Sequence, residues 1–514
     1  MRHHQLLTPL LAACLLSLSA TANIRLPALI ADHMVLQQQA SVALWGWADP
    51  GEAVTVTPSW SNKPVRVVAD EQGKWLVRVP TGRAGGPYEL SLVGKNRLSV
   101  RNVLLGEVWL CAGQSNMVFP ISKRPNSGSY SGVVNEAEVL PQANYPAIRM
   151  FTVKNQVADT PQPNAEGSWV ACSPQTAGEF SAVAYFFAQE IHERTKLPIG
   201  LVNSSWGGTP AESWTRREVL EQDADFRPIL ARYQRGLETY EQDLAAYHSK
   251  RQEYQQERAA NPGLRRSAPR EPIGATSNKS PYKNYNAMIH PLVPFTLRGV
   301  IWYQGENNAE RAYQYRRLFP ALIASWREEW QQPKLPFYFV QIAPHRSQNP
   351  EIREAQLLTM LAVPQTGMAV ITDAGDSTDI HPRNKQVVGH RLAQWALAKE
   401  YGEKKRPYSG PLYESLRVQN GQAHLQFSHA HGGLVARGGP LREFTIAGPD
   451  SIFHPAQAKI EGNQVVVWSK EVPQPVAVRF AWQHVPYPNF YNGAGLPASP
   501  FRTDTWRTPT QGKL

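Results

Sequence analysis

Gly106-Glu107-Val108-Trp109-Leu110-Cys111-Ala112-Gly113-Gln114-Ser115-Asn116-Met117 is the stretch on which the reading of the chain turns. The apolar run 108–112 has the composition of a buried strand, and Gly113-Gln114-Ser115-Asn116 stops it in a sharp turn. A serine at the carboxyl end of a strand in an open α/β sheet projects its hydroxyl into the crevice where such sheets keep their active sites. The same turn can aim backbone N–H groups at an oxyanion. A turn serine can equally cap the helix that follows. Ser115 therefore needs partners elsewhere in the chain before it reads as a nucleophile.

Outward from this stretch, residues 103–405 alternate strand and helix, which predicts an α/β domain with a parallel sheet. A helix is expected over 182–191 and a buried strand over 198–203, running into Ser204-Ser205-Trp206-Gly207-Gly208-Thr209. Strand 297–303 runs into Gln304-Gly305-Glu306-Asn307-Asn308. A helix near 311–330, strand 337–341, a helix near 351–362 and strand 368–372 follow. Asp373-Ala374-Gly375-Asp376-Ser377-Thr378-Asp379-Ile380-His381-Pro382 comes next, and a helix from Lys385 to about Tyr401 closes the series. Residues 217–281 interrupt it. Leu230, Tyr233, Leu237, Tyr240, Leu244 and Tyr247 recur at three- and four-residue spacing, a long amphipathic helix or helical hairpin. A Pro-, Arg- and Ser-rich loop follows over 261–281.

Both flanks read as β structure. Residues 23–102 carry period-two runs at 42–47, 54–57, 65–68, 75–79 and 88–92, separated by Asp49-Pro50-Gly51, Glu71-Gln72-Gly73 and Gly85-Gly86-Pro87. Short strands with regular turns predict a sandwich, acting as a scaffold or a sugar-contacting wall. Residues 406–514 return to short strands. At 514 residues the chain exceeds one core, and roughly two to four domains are expected. The net charge of +11 is scattered, without a basic run or nucleic-acid motif, so nucleic acid is not an expected partner. The 15 Trp and 19 Tyr suit sugar stacking as well as β cores.

Residues 1–22 read as a secretory leader: Met1-Arg2-His3-His4, an apolar stretch from Leu6 to Leu18, and Ala20-Thr21-Ala22 before a mature start at Asn23. Leu11-Ala12-Ala13-Cys14 is an alternative lipoprotein box, although apolar residues follow Cys14. No other run reaches membrane-spanning length. Periplasmic or secreted placement is expected. Cys111 and Cys172 then remain, enough for one disulfide, though Cys111 in a core strand suits a buried thiol.

Four polar clusters thus follow strands, around Ser115, 203–209, 304–307 and 379–381. Strands of a parallel sheet open on one side, so the clusters can meet. A serine hydroxyl needs a base, and an imidazole near neutral pH suits it. The imidazole needs a carboxylate, and the tetrahedral intermediate needs donors. Ser115, His381 and Asp379 fill the first three roles. Gly207-Gly208 offers backbone N–H groups, and Gln304 or Asn307 a side-chain amide. Gln114, Asn116, Trp206 and Glu306 stand in the same clusters as supporting or substrate-contacting candidates. This chemistry calls on no cofactor and no metal. His3-His4 leaves with the leader, and His429-x-His431 lacks an acidic partner set.

Gly-Gln-Ser-Asn-Met at 113–117, Trp-Gly-Gly-Thr at 206–209, Trp-Tyr-Gln-Gly-Glu at 302–306 and Asp-Ile-His-Pro at 379–382 resemble the sialate O-acetylesterase family of the SGNH hydrolases. Pro27-Ala28-Leu29, Met34-Val35-Leu36-Gln37 and 45–51 look like that family's N-terminal β domain. The resemblance implies a flavodoxin-like α/β domain and a secreted carbohydrate O-acetylesterase. It implies Ser115 as nucleophile, His381 as base, Asp379 as its carboxylate, and Ser115 N–H, Gly208 N–H and Gln304 as oxyanion donors. The substrate it implies is an O-acetylated sialic acid or an acetylated hemicellulose such as xylan or xyloglucan. The chain departs from the wider SGNH pattern in having Gln304 for the third-block Asn, with Asn307 nearby, and Asp-x-His for Asp-x-x-His. Asp376 and Glu306 are therefore reserve carboxylates. A non-catalytic glycan-binding protein on a hydrolase scaffold is the alternative, and it should have lost Ser115 or His381.

Overall fold

The computed structural model describes residues 23–125, 130–264 and 266–514; the leader and its Cys14 alternative lie outside them. The amino-terminal strands are β1 (Val35–Gln37), β2 (Ser41–Trp47), β3 (Ala53–Pro58), β4 (Val65–Val68), β5 (Lys74–Pro80) and β6 (Gly85–Val93). β5 alternates exposed and buried residues along its length, as period-two patterning requires. β2 pairs with β5, while β4, β3 and β6 pair in succession. Val42, Leu44, Val54, Val56, Val77, Val79, Leu90 and Leu92 are buried in the core.

β7 (Arg97–Gly113) is longer than the apolar run predicts. Its first half pairs antiparallel with β6 and its middle pairs parallel with β1, Val35 opposite Leu104. Its second half, fully buried from Val103 to Gly113, enters the central sheet. One strand thus joins the amino-terminal sheet to the α/β core.

A single turn, α1 (Ser115–Val118), follows, then α2 (Glu136–Gln142), β8 (Ile148–Val153), β9 (Gly167–Ala171), α3 (Ala182–Thr195) and β10 (Ile199–Ser205). The insertion forms α4 (Arg217–Gln222), α5 (Arg227–Glu238) and α6 (Tyr240–Ala260), the last two separated only by Thr239. β11 (Gly299–Tyr303), α7 (Ala312–Glu329), β12 (Phe337–Gln341), α8 (Pro350–Ala362), β13 (Thr366–Val370) and α9 (Lys385–Lys399) complete the core. The sheet order is β13-β12-β11-β7-β10-β8-β9, parallel except for β9. β10, β11 and β12 are buried throughout, as strands covered on both faces must be. Taken in chain order, β7, β10, β11, β12 and β13 lie side by side as 2-1-3-4-5. The order reverses between β7 and β11, where open α/β sheets form their ligand crevice. With right-handed connections, that reversal sends α3 to one face and α7 and α8 to the other; α9 packs on α3.

The carboxyl-terminal part is β-rich. Strands 412–419, 422–428, 464–468 and 457–461 form one antiparallel sheet, and 453–455, 444–447, 477–480 and 501–502 another. It is fastened to the core by Arg502 Nε on Glu354 Oε1 at 2.6 Å and by Gln341 Nε2 on Ser499 Oγ at 3.0 Å. Cys111 and Cys172 are free and buried, and no disulfide joins them. No helix among the described residues is long and apolar enough to cross a membrane.

Candidate active site

Three strands end on the same rung. Gly113 of β7 pairs with Ser205 of β10 and with Tyr303 of β11. The clusters at 114–116, 206–208 and 304–306 therefore leave the sheet side by side. Gly113 makes this possible: its φ is +137°, and a Cβ there would sit 2.2 Å from the Tyr303 carbonyl oxygen. Gln114 N–H then donates to Tyr303 O at 2.9 Å and Trp206 N–H to Gly113 O at 3.1 Å. Ser115 follows as the first residue of α1. Gln114, not Ser115, stands at the N-cap.

His381 lies on the loop after β13 and reaches back across the crevice. Its Nε2 is 3.0 Å from Ser115 Oγ. Its ring packs on Tyr130, centroids 4.9 Å apart. Burial, then the Lys385 charge, pushes its pKa from 6.5 down to about 4, against the opposing pull of Asp379. Asp379 Oδ1 lies 3.7 Å from His381 Nδ1 and accepts the His381 backbone N–H at 2.9 Å. The carboxylate is beside the imidazole but outside hydrogen-bond range.

Gly207 and Gly208 border the serine. A Cβ on Gly207 would lie 3.6 Å from Ser115 Cβ. Gly208 has φ +73° and open space around it, a backbone position that suits glycine. Among the described residues neither Ser115 N–H nor Gly208 N–H is taken up by a hydrogen bond. Trp206 is half-buried against the core.

The sequence expectation for Gln304 is not met by its geometry. Gln304 is fully buried, and its amide nitrogen donates to Asn308 Oδ1 at 2.7 Å and Thr209 O at 3.2 Å. Its amide oxygen accepts from the Tyr315 hydroxyl at 3.1 Å. With these partners the side chain ties two turns together and leaves no donor for an oxyanion. Asn307 instead borders Gly208, its amide donating to Gly208 O and its backbone N–H facing Gln114 Oε1 at 3.4 Å.

The reserve carboxylates also go elsewhere. Asp376 is exposed and closes its own turn, accepting from Thr378 N at 2.7 Å and Asp379 N at 3.1 Å; the first of these bonds leads the causes that lower its pKa. Glu306 is buried, and its Oε1 accepts from Asn116 Nδ2 at 2.6 Å. Burial raises the Glu306 pKa.

Three further neighbours escape a reading of the sequence. Lys385, the first residue of α9, is fully buried and donates to Asn116 Oδ1. Tyr130 comes from a loop without pattern. His345 is buried, with Nδ1 2.7 Å from Ser347 Oγ, and it lowers the His381 pKa through its charge. A lysine at a helix start carries no mark in sequence that separates it from a surface lysine.

A cleft of about 250 Å³ opens beside Glu306 and Asn307. Its guanidinium groups are paired: Arg311 Nη2 with Glu212 Oε1 at 2.6 Å, Arg232 with the same oxygen at 3.7 Å, and Arg270 with Glu310 at 3.4 Å. A larger cleft of about 680 Å³ lies at the opposite, amino ends of β11–β13, lined by Arg298, Lys334 and Glu400, far from the serine turn. Among the described residues no group of three or more His, Cys, Asp or Glu is placed to hold a metal ion.

Residues 105–247 and 273–398 match the family model described as carbohydrate esterase, sialic acid-specific acetylesterase. The sialate O-acetylesterase of Rattus norvegicus is 33% identical over 458 residues, covering 80% of this chain and 79% of that protein. That of Mus musculus is 31% identical, covering 96% of both. The crystal structure of a carbohydrate acetylesterase from Xanthomonas citri superposes with a TM-score of 0.79 at 39% identity, covering 94% of this chain and 100% of that one. The chain belongs to the sialic acid-specific acetylesterase family of carbohydrate esterases and is a carbohydrate O-acetylesterase.

Proposed function

We propose that the chain removes acetyl groups from sugar hydroxyls through an acyl-enzyme on Ser115. The observation that carries this reading is the 3.0 Å approach of His381 Nε2 to Ser115 Oγ at the strand-order reversal. Ser115 Oγ attacks the acetyl carbon while His381 Nε2 takes its proton. The carbonyl oxygen, now negative, faces the uncommitted N–H groups of Ser115 and Gly208, with Asn307 as the side-chain donor in place of Gln304. His381 returns the proton to the departing sugar oxygen. Water, activated by the same imidazole, then releases acetate and frees Ser115. Asp379 completes the triad by closing on Nδ1 as the imidazolium forms, since catalytic hydrogen bonds tighten in the reacting complex.

The scaffold for this reading is a flavodoxin-like SGNH domain over 103–405, with sandwich-type β regions over 23–102 and 406–514. A leader over 1–22 exports the protein to the periplasm or beyond. The sugar enters by the cleft beside Glu306 and Asn307. Its substrate is an O-acetylated sialic acid or an acetylated hemicellulose such as xylan or xyloglucan. The pairing of Arg232, Arg270 and Arg311 with carboxylates, with Glu271 also in the lining, supports an uncharged sugar there, although Lys279 lines the same cleft with no ion pair among the described residues. Acetate release from O-acetylated sialosides, xylan and xyloglucan tests the choice, with Ser115→Ala as control. Faster turnover of the sialosides would reverse the substrate preference. Retention of more than about a tenth of activity in folded Ser115→Ala would refute the acyl-enzyme.

A further inference from the structure

Beneath the Ser115–His381 contact lies a buried polar cluster that ester hydrolysis does not itself require. Asn116 is at its centre. The Asn116 amide donates to Glu306 Oε1 at 2.6 Å and to the Ile380 carbonyl at 3.1 Å, and its oxygen accepts from Lys385 Nζ. Asn116 adjoins the nucleophile and Ile380 adjoins the base, so one side chain ties the two turns together. Lys385 fixes which way that amide faces, because an ammonium can only donate.

An ammonium is poorly placed here on two counts. It is buried, and it stands at the positive end of α9. Burial leads, and its pKa falls from 10.5 to about 7. What offsets the cost is local: the Glu306 carboxylate across Asn116, and the rings of Phe119 and Tyr303 at 4.5 and 5.4 Å from Nζ.

We infer that Lys385 is a positioning residue: it locks the Asn116 amide so that the Ser115 turn and the His381 loop stay in contact. This rests on the Ser115–His381 esterase reading. The groups facing His381 are Lys385 from α9, Asp379 and His345 from the neighbouring loops, and the Tyr130 ring. Lys385 in turn faces Glu306 and Asp379. Because Lys385 is charged below about pH 7, its field is present through the acidic range in which a free imidazole would protonate.

The test is the pH dependence of kcat/KM on a small acetyl ester for wild type, Lys385→Met and Lys385→Met/Glu306→Gln. The double variant removes both charges and leaves no buried carboxylate alone, so it decides the question if the single variant does not fold. In wild type the acidic limb should lie below about pH 5, and a limb at the free imidazole position, about 6.5, overturns the inference. In the variants kcat should drop about tenfold or more with KM within about twofold, and the limb should move up by about half a pH unit or more. Wild-type kcat, or lost kcat with an unmoved limb, reduces Lys385 to packing and overturns its assigned role. If Ser115→Ala keeps its activity, the esterase reading itself falls, a result separate from either of these.

Discussion

At the scale of single residues, the burial of His381 moves the expected pH behaviour away from a free imidazole. Its neutral form persists down to about pH 4, so turnover should hold through pH 6 and decline only below about 5. The sign for stability follows from linkage. The unfolded chain, with a pKa of 6.5, binds the proton that the folded chain, at about 4, does not. Stability should therefore fall as pH drops from 6.5 to 4, which thermal melts across that window would read. The carboxylates separate by geometry. Asp379→Asn should lower kcat about tenfold or more through lost imidazolium stabilisation. Asp376→Asn keeps an acceptor for its turn and should stay within about threefold. The reverse ranking in a side-by-side assay would reassign the third member. Asn307→Ala should cut kcat by about a hundredfold as a lost oxyanion donor. Gln304→Ala should instead lower the melting temperature by breaking the Thr209–Asn308–Tyr315 junction.

Among elements, the sequence is most legible where packing imposes a period. The strands at β2 to β6 and β10 to β12, and the helices α3, α7, α8 and α9, appear where alternation or apolar runs put them. Ser115 and His381 are legible because each follows a buried strand with a turn. Three things are not. β7 begins at Arg97, ahead of the apolar run, because only Val100 is buried among its first six residues. The short π-helical and 3₁₀ turns at 285–292 carry no period at all. The side-chain direction of Gln304 depends on Asn308, Thr209 and Tyr315, partners that no spacing announces. The turn after β7 carries its own prediction. Gly113→Ala places a methyl 2.2 Å from the Tyr303 carbonyl at φ +137°, so the β7–β11 edge must part. The expected result is loss of activity together with a lowered melting temperature; a variant that keeps both would mean the rung is more pliable than its register implies.

At the scale of the whole molecule, α6 and the loop after it include residues 248–272, which fall outside the family match, and Arg270 of that stretch lines the cleft beside Asn307. With the sugar entering by this cleft as proposed, its preference can change here without touching the serine turn. Chemistry by a Ser–His couple also predicts that activity survives EDTA; loss on chelation with recovery on added zinc would refute the assignment. Free, buried Cys111 and Cys172 predict an unchanged melting curve with and without reductant.

The shared strand β7 has a further consequence. Its residues are laid down in one β6 pairing, one β1 pairing and two core pairings before the chain turns at Ser115. The amino-terminal sheet is consequently not a cassette that recombination could lift out and replace. A cut anywhere between Arg97 and Gly113 severs hydrogen bonds on both sides of the cut. Heredity must keep or lose the two halves as one heritable block, joined by the same backbone that leads into the serine turn.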